Sequence, residues 1–85
     1  MVNRMKLKLI SWNVNGIRAA KKKGLLDYLE KEKPDIFCVQ ETKASPDQLD
    51  EELTSPKGFQ VIYHSCTRKK GYSGVATFSS SKILP

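Results

Sequence analysis

Between Pro34-Asp35 and Glu41-Thr42 lies Ile36-Phe37-Cys38-Val39-Gln40, a nearly unbroken apolar run rich in strand-forming side chains. It is too short for a stable helix and shows no polar alternation, so it reads as an interior strand buried on both faces. An interior strand needs partners on both edges, and the rest of the chain supplies candidates. Lys6 to Asn13 alternates and then turns apolar, as a strand entering a core does, and Asn13-Val14-Asn15-Gly16 ends it with turn formers. A helix is expected from about Gly24 to Lys33, with Leu25 and Leu29 one turn apart; Pro34 closes it. Ser45-Pro46-Asp47-Gln48 places Ser at N-cap, Pro at N1 and Gln at N3, predicting a helix to about Leu53. Gln60–Tyr63 and Gly74–Phe78 read as two more strands, with a basic loop from Ser65 to Tyr72 between them. The order β-α-β-α-β-β predicts an α/β fold whose first two strands run parallel through a right-handed crossover. No helix follows the last strand, so one sheet face is expected to lie uncovered.

Eighty-five residues suit one small domain with a modest core. Fifteen Lys and Arg against nine Asp and Glu give a net charge of +6, which favours a polyanionic partner. No apolar run approaches the roughly 20 residues of a membrane span. The first residues, Met1-Val2-Asn3-Arg4-Met5-Lys6, lack the apolar stretch of a secretory signal. Two cysteines in dissimilar surroundings make neither a disulfide framework nor a zinc site. The expectation is a soluble, cytoplasmic protein without a membrane partner.

The residues suited to chemistry gather at strand ends. Asn13 and Asn15 sit at the carboxyl end of the first strand, and Gln40, Glu41 and Lys43 at the carboxyl end of the second. Ligand sites of open α/β sheets collect at the carboxyl ends of strands. One carboxylate with neutral oxygen donors suits Mg²⁺, which keeps several waters and takes substrate phosphate oxygens as ligands. Taken alone, Asn13-Val14-Asn15-Gly16 reads first as a simple turn, Lys43 as a solvated lysine, and a triple-lysine run as a solubilising face. Of the remaining residues, Trp12 reads as core packing, Cys38 as a buried small hydrophobe, and His64 as a surface or packing residue rather than a base. Cys66 has no neighbour that marks it as a catalytic thiol.

Four ordered blocks sharpen this reading: Ser11-Trp12-Asn13-Val14-Asn15-Gly16-Ile17-Arg18, Pro34-Asp35-Ile36, Gln40-Glu41-Thr42-Lys43 and Gly71-Tyr72-Ser73-Gly74-Val75. Together, from about Lys6 to Phe78, the chain resembles the exonuclease III type of apurinic/apyrimidinic endonuclease, within the endonuclease–exonuclease–phosphatase superfamily. The resemblance implies a four-layered, DNase I-like α/β sandwich, incomplete in this chain. Residues 1–85 would then be the N-terminal portion of a single domain. It implies Mg²⁺ or Mn²⁺ as cofactor, with Glu41 as metal ligand and Asn13 close to the metal and the scissile phosphate. Asn15 falls where some members carry an aspartate ligand and others an asparagine, which leaves metal binding or hydrogen bonding open for it. Lys43 matches a lysine beside the acidic cluster. Arg18, Ala19, Lys22, Gly71 and Tyr72 match loop positions that touch the DNA backbone.

The implied partner is double-stranded DNA with abasic sites, acted on by a protein monomeric at full length, cytoplasmic or nucleoid-associated in a prokaryote and nuclear in a eukaryote. Lys21-Lys22-Lys23 and Arg68-Lys69-Lys70 fit that partner, because neutralising phosphates releases counterions. The implied reaction is hydrolysis of the phosphodiester 5′ to the abasic site, with 3′-5′ exonuclease activity as a second capacity. Downstream residues of relatives complete the catalytic set, so this segment alone is expected to be inactive and marginal in stability. Two alternatives stand beside this reading. One is a superfamily hydrolase of RNA or a phosphorylated small molecule; the other is a non-catalytic basic module that binds nucleic acid by charge.

Overall fold

Strand β1 (Leu9–Asn13) and strand β2 (Ile36–Gln40) pair in parallel, Leu9 opposite Ile36 and Asn13 opposite Gln40. The computed structural model describes residues 7–64 and 74–81. Between these strands run two short helices, α1 (Ile17–Lys22) and α2 (Leu25–Glu32). After β2 come a 3₁₀ turn (Pro46–Gln48), helix α3 (Glu51–Thr54), and strands β3 (Phe59–His64) and β4 (Val75–Ser80). The sheet order is β1-β2-β4-β3, with β4 antiparallel to both neighbours. Strand β2 is therefore interior, as expected, and the parallel start of the sheet is confirmed.

One local expectation was too simple in the first crossover. Of the lysines expected in a loop, Lys21 and Lys22 belong to α1 and Lys23 caps its end, so Arg18, Ala19 and Lys22 lie on a helix. Two apolar positions, Ile17 and Ala20, are its whole buried stripe, too few for hydrophobic periodicity to reveal it. Gly24 at φ 102° separates α1 from α2, a conformation that costs glycine little. Helix α2 matches its expected bounds closely and buries Leu25 and Leu29.

The helix expected from Ser45 to Leu53 is in fact two pieces. Gln48 Oε1 accepts the Ser45 backbone N–H at 3.0 Å, the reciprocal half of the capping box. The turn stops at Leu49, which is extended, and Asp50 opens α3 by accepting the Leu53 N–H at 3.3 Å. A second capping residue thus restarts the helix.

The end of α2 yields a measurable expectation. Lys33 holds φ 47°, left-handed, immediately before the buried Pro34. A side chain there carries a steric cost that glycine lacks. Lys33→Gly is expected to stabilise the fold by about 0.5–1 kcal/mol, read from urea midpoints; a loss of stability would show that the residue is not strained.

The core lies on one sheet face. Phe37, Val39, Ala76 and Phe78 are buried against Ile17, Ala20, Leu25, Leu29 and Leu53 of the three helices. Phe78 sits at its centre, with ring centroids 5.6 Å from Phe37, 6.5 Å from Phe59 and 6.4 Å from Tyr63. The Tyr63 hydroxyl donates to the Leu53 carbonyl at 2.6 Å, and burial pushes that phenol above its ordinary range.

The opposite face carries Leu9, Ser11 and Asn13, then Ile36, Cys38 and Gln40, then Val75 and Thr77, then Ile62 and His64. Leu9 is 65% exposed and Ile62 61%, so among the described residues this face is uncovered. Strand β2 is consequently buried on one face only, with Ile36, Cys38 and Gln40 partly exposed, because all three helices stack on the other. Cys38 is not enclosed in the core. Trp12 is half in: it packs edge-on against Tyr28 and touches Phe37 but remains 38% exposed at the edge of the sheet. No helix among the described residues is long and apolar enough to cross a membrane.

Candidate metal and phosphate site

Parallel pairing in register brings Asn13 and Gln40 side by side, so the segments that leave β1 and β2 emerge together. Backbone bonds then zip them: Val14 N to Gln40 O at 3.0 Å, Gly16 N to Glu41 O at 2.7 Å, and Ile17 N to Thr42 O at 2.9 Å. The buried Thr42 in turn donates its N–H to Gly74 O at 3.1 Å, tying this rim to the start of β4. Thr42 therefore links three segments, a role that nothing in its local sequence announces.

Side chains complete the cluster. Asn13 Nδ2 donates to Glu41 Oε2, and Asn13 Oδ1 accepts the Asn15 backbone N–H at 3.1 Å. Lys43 Nζ donates to Asn15 Oδ1 and lies 4.0 Å from Glu41 Oε1. The four residues picked out by sequence thus form one continuous network. The Glu41 and Lys43 side chains remain 43% and 46% exposed, so the carboxylate is held in place yet open to a ligand.

The backbone here is unusual. Asn15, Glu41 and Lys43 have φ of 46°, 55° and 54°, three of the four non-glycine residues at positive φ among those described. Asparagine tolerates this region, whereas Glu and Lys each carry a cost of about 1–2 kcal/mol. Such strain persists where surrounding bonds over-determine the chain, and it clusters at functional sites. The interlocked hydrogen bonds supply that constraint here.

Among the described residues, no three Asp, Glu, His or Cys side chains converge. The donor set at this rim is therefore one carboxylate with carboxamide oxygens. It fits a hard divalent cation that takes one or two protein carboxylates and fills its other positions with water and phosphate oxygens. Each Asn oxygen already accepts one hydrogen bond and retains a second lone pair.

The residues matched to DNA contacts divide. Arg18, Ala19 and Lys22 are exposed, with Arg18 and Lys22 one turn apart on α1. Gly71 and Tyr72, with Cys66 and the Arg68–Lys70 run, lie outside the described residues. Lys21 departs from the expected basic patch: its ammonium is paired with Asp50 and Glu52. His64 is exposed at the end of β3. A groove of about 840 Å³ lies at the other end of the sheet, lined in part by Leu29, Pro34, Phe59 and Ser80. Glu41 follows the opposite end of β2 and does not line that groove; its half-exposed side chain makes its site an open rim.

A match to the endonuclease/exonuclease/phosphatase family spans residues 10–85. Recombination repair protein 1 of Drosophila melanogaster is 51% identical over 79 residues, which are 93% of this chain and 11% of that protein. The exodeoxyribonuclease of Bacillus subtilis (strain 168) is 48% identical, with 92% of this chain and 30% of the relative covered. Among solved structures, the catalytic domain of APE2 from Xenopus laevis aligns with a TM-score of 0.74 at 44% identity, covering 88% of this chain and 24% of that one. The chain thus spans about a tenth to a third of the length of these relatives.

Proposed function

The chain belongs to the endonuclease/exonuclease/phosphatase family, and from that premise we propose that it carries the metal anchor and part of the phosphate grip of a DNA-repair phosphodiesterase. The complete enzyme hydrolyses the DNA backbone 5′ to an abasic site, with 3′-5′ exonuclease activity as a second capacity. The observation that carries this reading is the Asn13–Glu41 hydrogen bond inside a strained, zipped rim beside the exposed Arg18 and Lys22. The names of the relatives, a recombination repair protein and an exodeoxyribonuclease, point to the same substrate class.

Roles follow from the contacts. Glu41 would hold the cation, Mg²⁺ or Mn²⁺, which when bound would supply positive charge to polarise a phosphoryl oxygen and offset the charge that builds during hydrolysis. Asn13 fixes the Glu41 carboxylate through its amide N–H, and its oxygen would be a neutral donor to the cation. Asn15 relays Lys43 into the cluster, and its oxygen would be a further neutral donor to the cation. Lys43 adds positive charge next to Glu41, where a phosphate would sit. Arg18, Ala19 and Lys22, with Gly71 and Tyr72, grip the sugar–phosphate backbone. The uncovered face of the sheet, including Leu9 and Ile62, is where the remainder of a four-layered sandwich packs. The groups that orient the attacking water belong to that remainder, so residues 1–85 form the N-terminal portion of one domain. The full-length protein is a monomer that works where DNA is.

The test is incision of a duplex carrying one abasic site by the full-length protein, with an intact duplex, RNA and a phosphoinositide as competing substrates. Chelation is expected to abolish cleavage and Mg²⁺ to restore it. Cleavage that survives chelation, or faster turnover of RNA or the phosphoinositide, would refute the assignment.

A further inference from the structure

The three consecutive lysines, Lys21 and Lys22 of α1 and Lys23 at its C-cap, do not act alike. Lys22 and Lys23 are exposed. Lys21 turns toward α3 instead, with Nζ 2.5 Å from Asp50 Oδ2 and 3.1 Å from Glu52 Oε1 and its side chain only 26% exposed. The pairing raises the Lys21 pKa and holds the Asp50 carboxyl below its usual range. Asp50 also caps α3 through the Leu53 N–H, so the contact joins the end of one helix to the start of another.

Helix α1 needs such support. It has six residues, and isolated helices shorter than about 12–15 residues are marginal in water. Its first turn is tied to the metal rim by the Gly16 and Ile17 N–H groups, and Ile17 and Ala20 anchor it in the core. Lys21 is the polar tether of its last turn. Rotation of α1 about its axis would carry Arg18 and Lys22 away from their shared solvent face, and the ion pair on the flank opposes that rotation.

We propose that Lys21, bracketed by Asp50 and Glu52, is a positioning residue: it sets the orientation of α1 so that Arg18 and Lys22 meet the DNA backbone, and it does not itself touch a phosphate. This rests on the reading of α1 as a phosphate-gripping face. It places Asp50 and Glu52, acidic residues of a basic protein, among the determinants of DNA affinity.

The decisive variant is Asp50→Asn with Glu52→Gln, in which Asn keeps the cap on α3. By charge alone, removing two carboxylates near a polyanion tightens binding. A tether predicts the opposite: a KM for abasic duplex raised by about two- to fivefold, the range of an exposed ion-pair network, with kcat at saturating DNA unchanged. Lys21→Met should weaken binding by a similar factor, add nothing to the double-acid variant, and keep the wild-type salt dependence. Lys21→Arg should restore affinity. Tighter or unchanged binding by the double-acid variant would overturn the proposal. So would a fall of about 0.9 in the slope of log affinity against log salt for Lys21→Met, the mark of a lost phosphate contact. Amide exchange at Ala20–Lys23 is read in the same variants and should accelerate whatever the ligand. Unchanged exchange overturns the tether itself, whereas a wild-type protein that ignores duplex DNA while exchange still accelerates overturns the DNA reading and supports the tether.

Discussion

Replacing Glu41 by Gln in the full-length protein is expected to remove Mg²⁺-dependent incision by at least about a hundredfold, because charge stabilisation by a bound metal is worth several kcal/mol. The change is nearly isosteric and leaves a carbonyl oxygen to accept from Asn13 Nδ2, so the rim should keep its shape. What disappears is the formal negative charge, which no other acidic side chain among the described residues replaces in a cluster. Affinity for uncleaved duplex should stay within a few-fold of wild type or tighten slightly, since the positive face of α1 is untouched. Turnover and duplex affinity measured together separate the two ideas. A non-catalytic basic module would show no metal-dependent turnover to lose, and a variant that still turns over within a few-fold of wild type would place the metal elsewhere.

Replacing Phe78 by Ala should nearly unfold the isolated chain. The ring is fully buried between Phe37, Phe59 and Tyr63, on the strand that joins β2 to β3. Truncations of this kind cost about 3–5 kcal/mol, because a cavity is added to the lost transfer energy. For a chain of 85 residues the whole stability is about 4–13 kcal/mol at the usual value per residue, and an uncovered sheet face argues for the lower end. Urea unfolding followed by circular dichroism should show the midpoint collapse. In the same experiment Ile62→Ala, on the uncovered face, should cost less than about 0.5 kcal/mol, as exposed substitutions do. A mild effect at Phe78, or a large one at Ile62, would mean that the core lies on the other side of the sheet.

Both expectations depend on how far a residue's neighbours could be read from its own segment. Strand β2 was legible because its signal is local: four consecutive apolar residues between Pro34 and Glu41 leave few alternatives. Helix α2 was legible for a similar reason, since Leu25, Leu29 and Pro34 mark its face and its end. Helix α1 was not, because three lysines mask a stripe of two buried residues. The break between the 3₁₀ turn and α3 was not legible either, since the capping box at Ser45 is complete in itself and the second cap, Asp50, lies within the helix it predicts. The site residues Asn13, Asn15, Glu41 and Lys43 stood out by their place after two apolar strands, and the structure joins them in one network.

Residue types and their local spacing were enough to determine the strands, the parallel opening of the sheet, the acid at its rim and the excess of positive charge. These follow from propensity, periodicity and strand-end geometry, which act over a few residues. Only the tertiary structure decided that β4 lies between β2 and β3, that β2 is covered on one face, and that Lys21 faces Asp50 rather than solvent. The physical reason is range. Lys21 and Asp50 are 29 residues apart in the chain, and their contact exists only because α1 and α3 stack on the same side of one sheet.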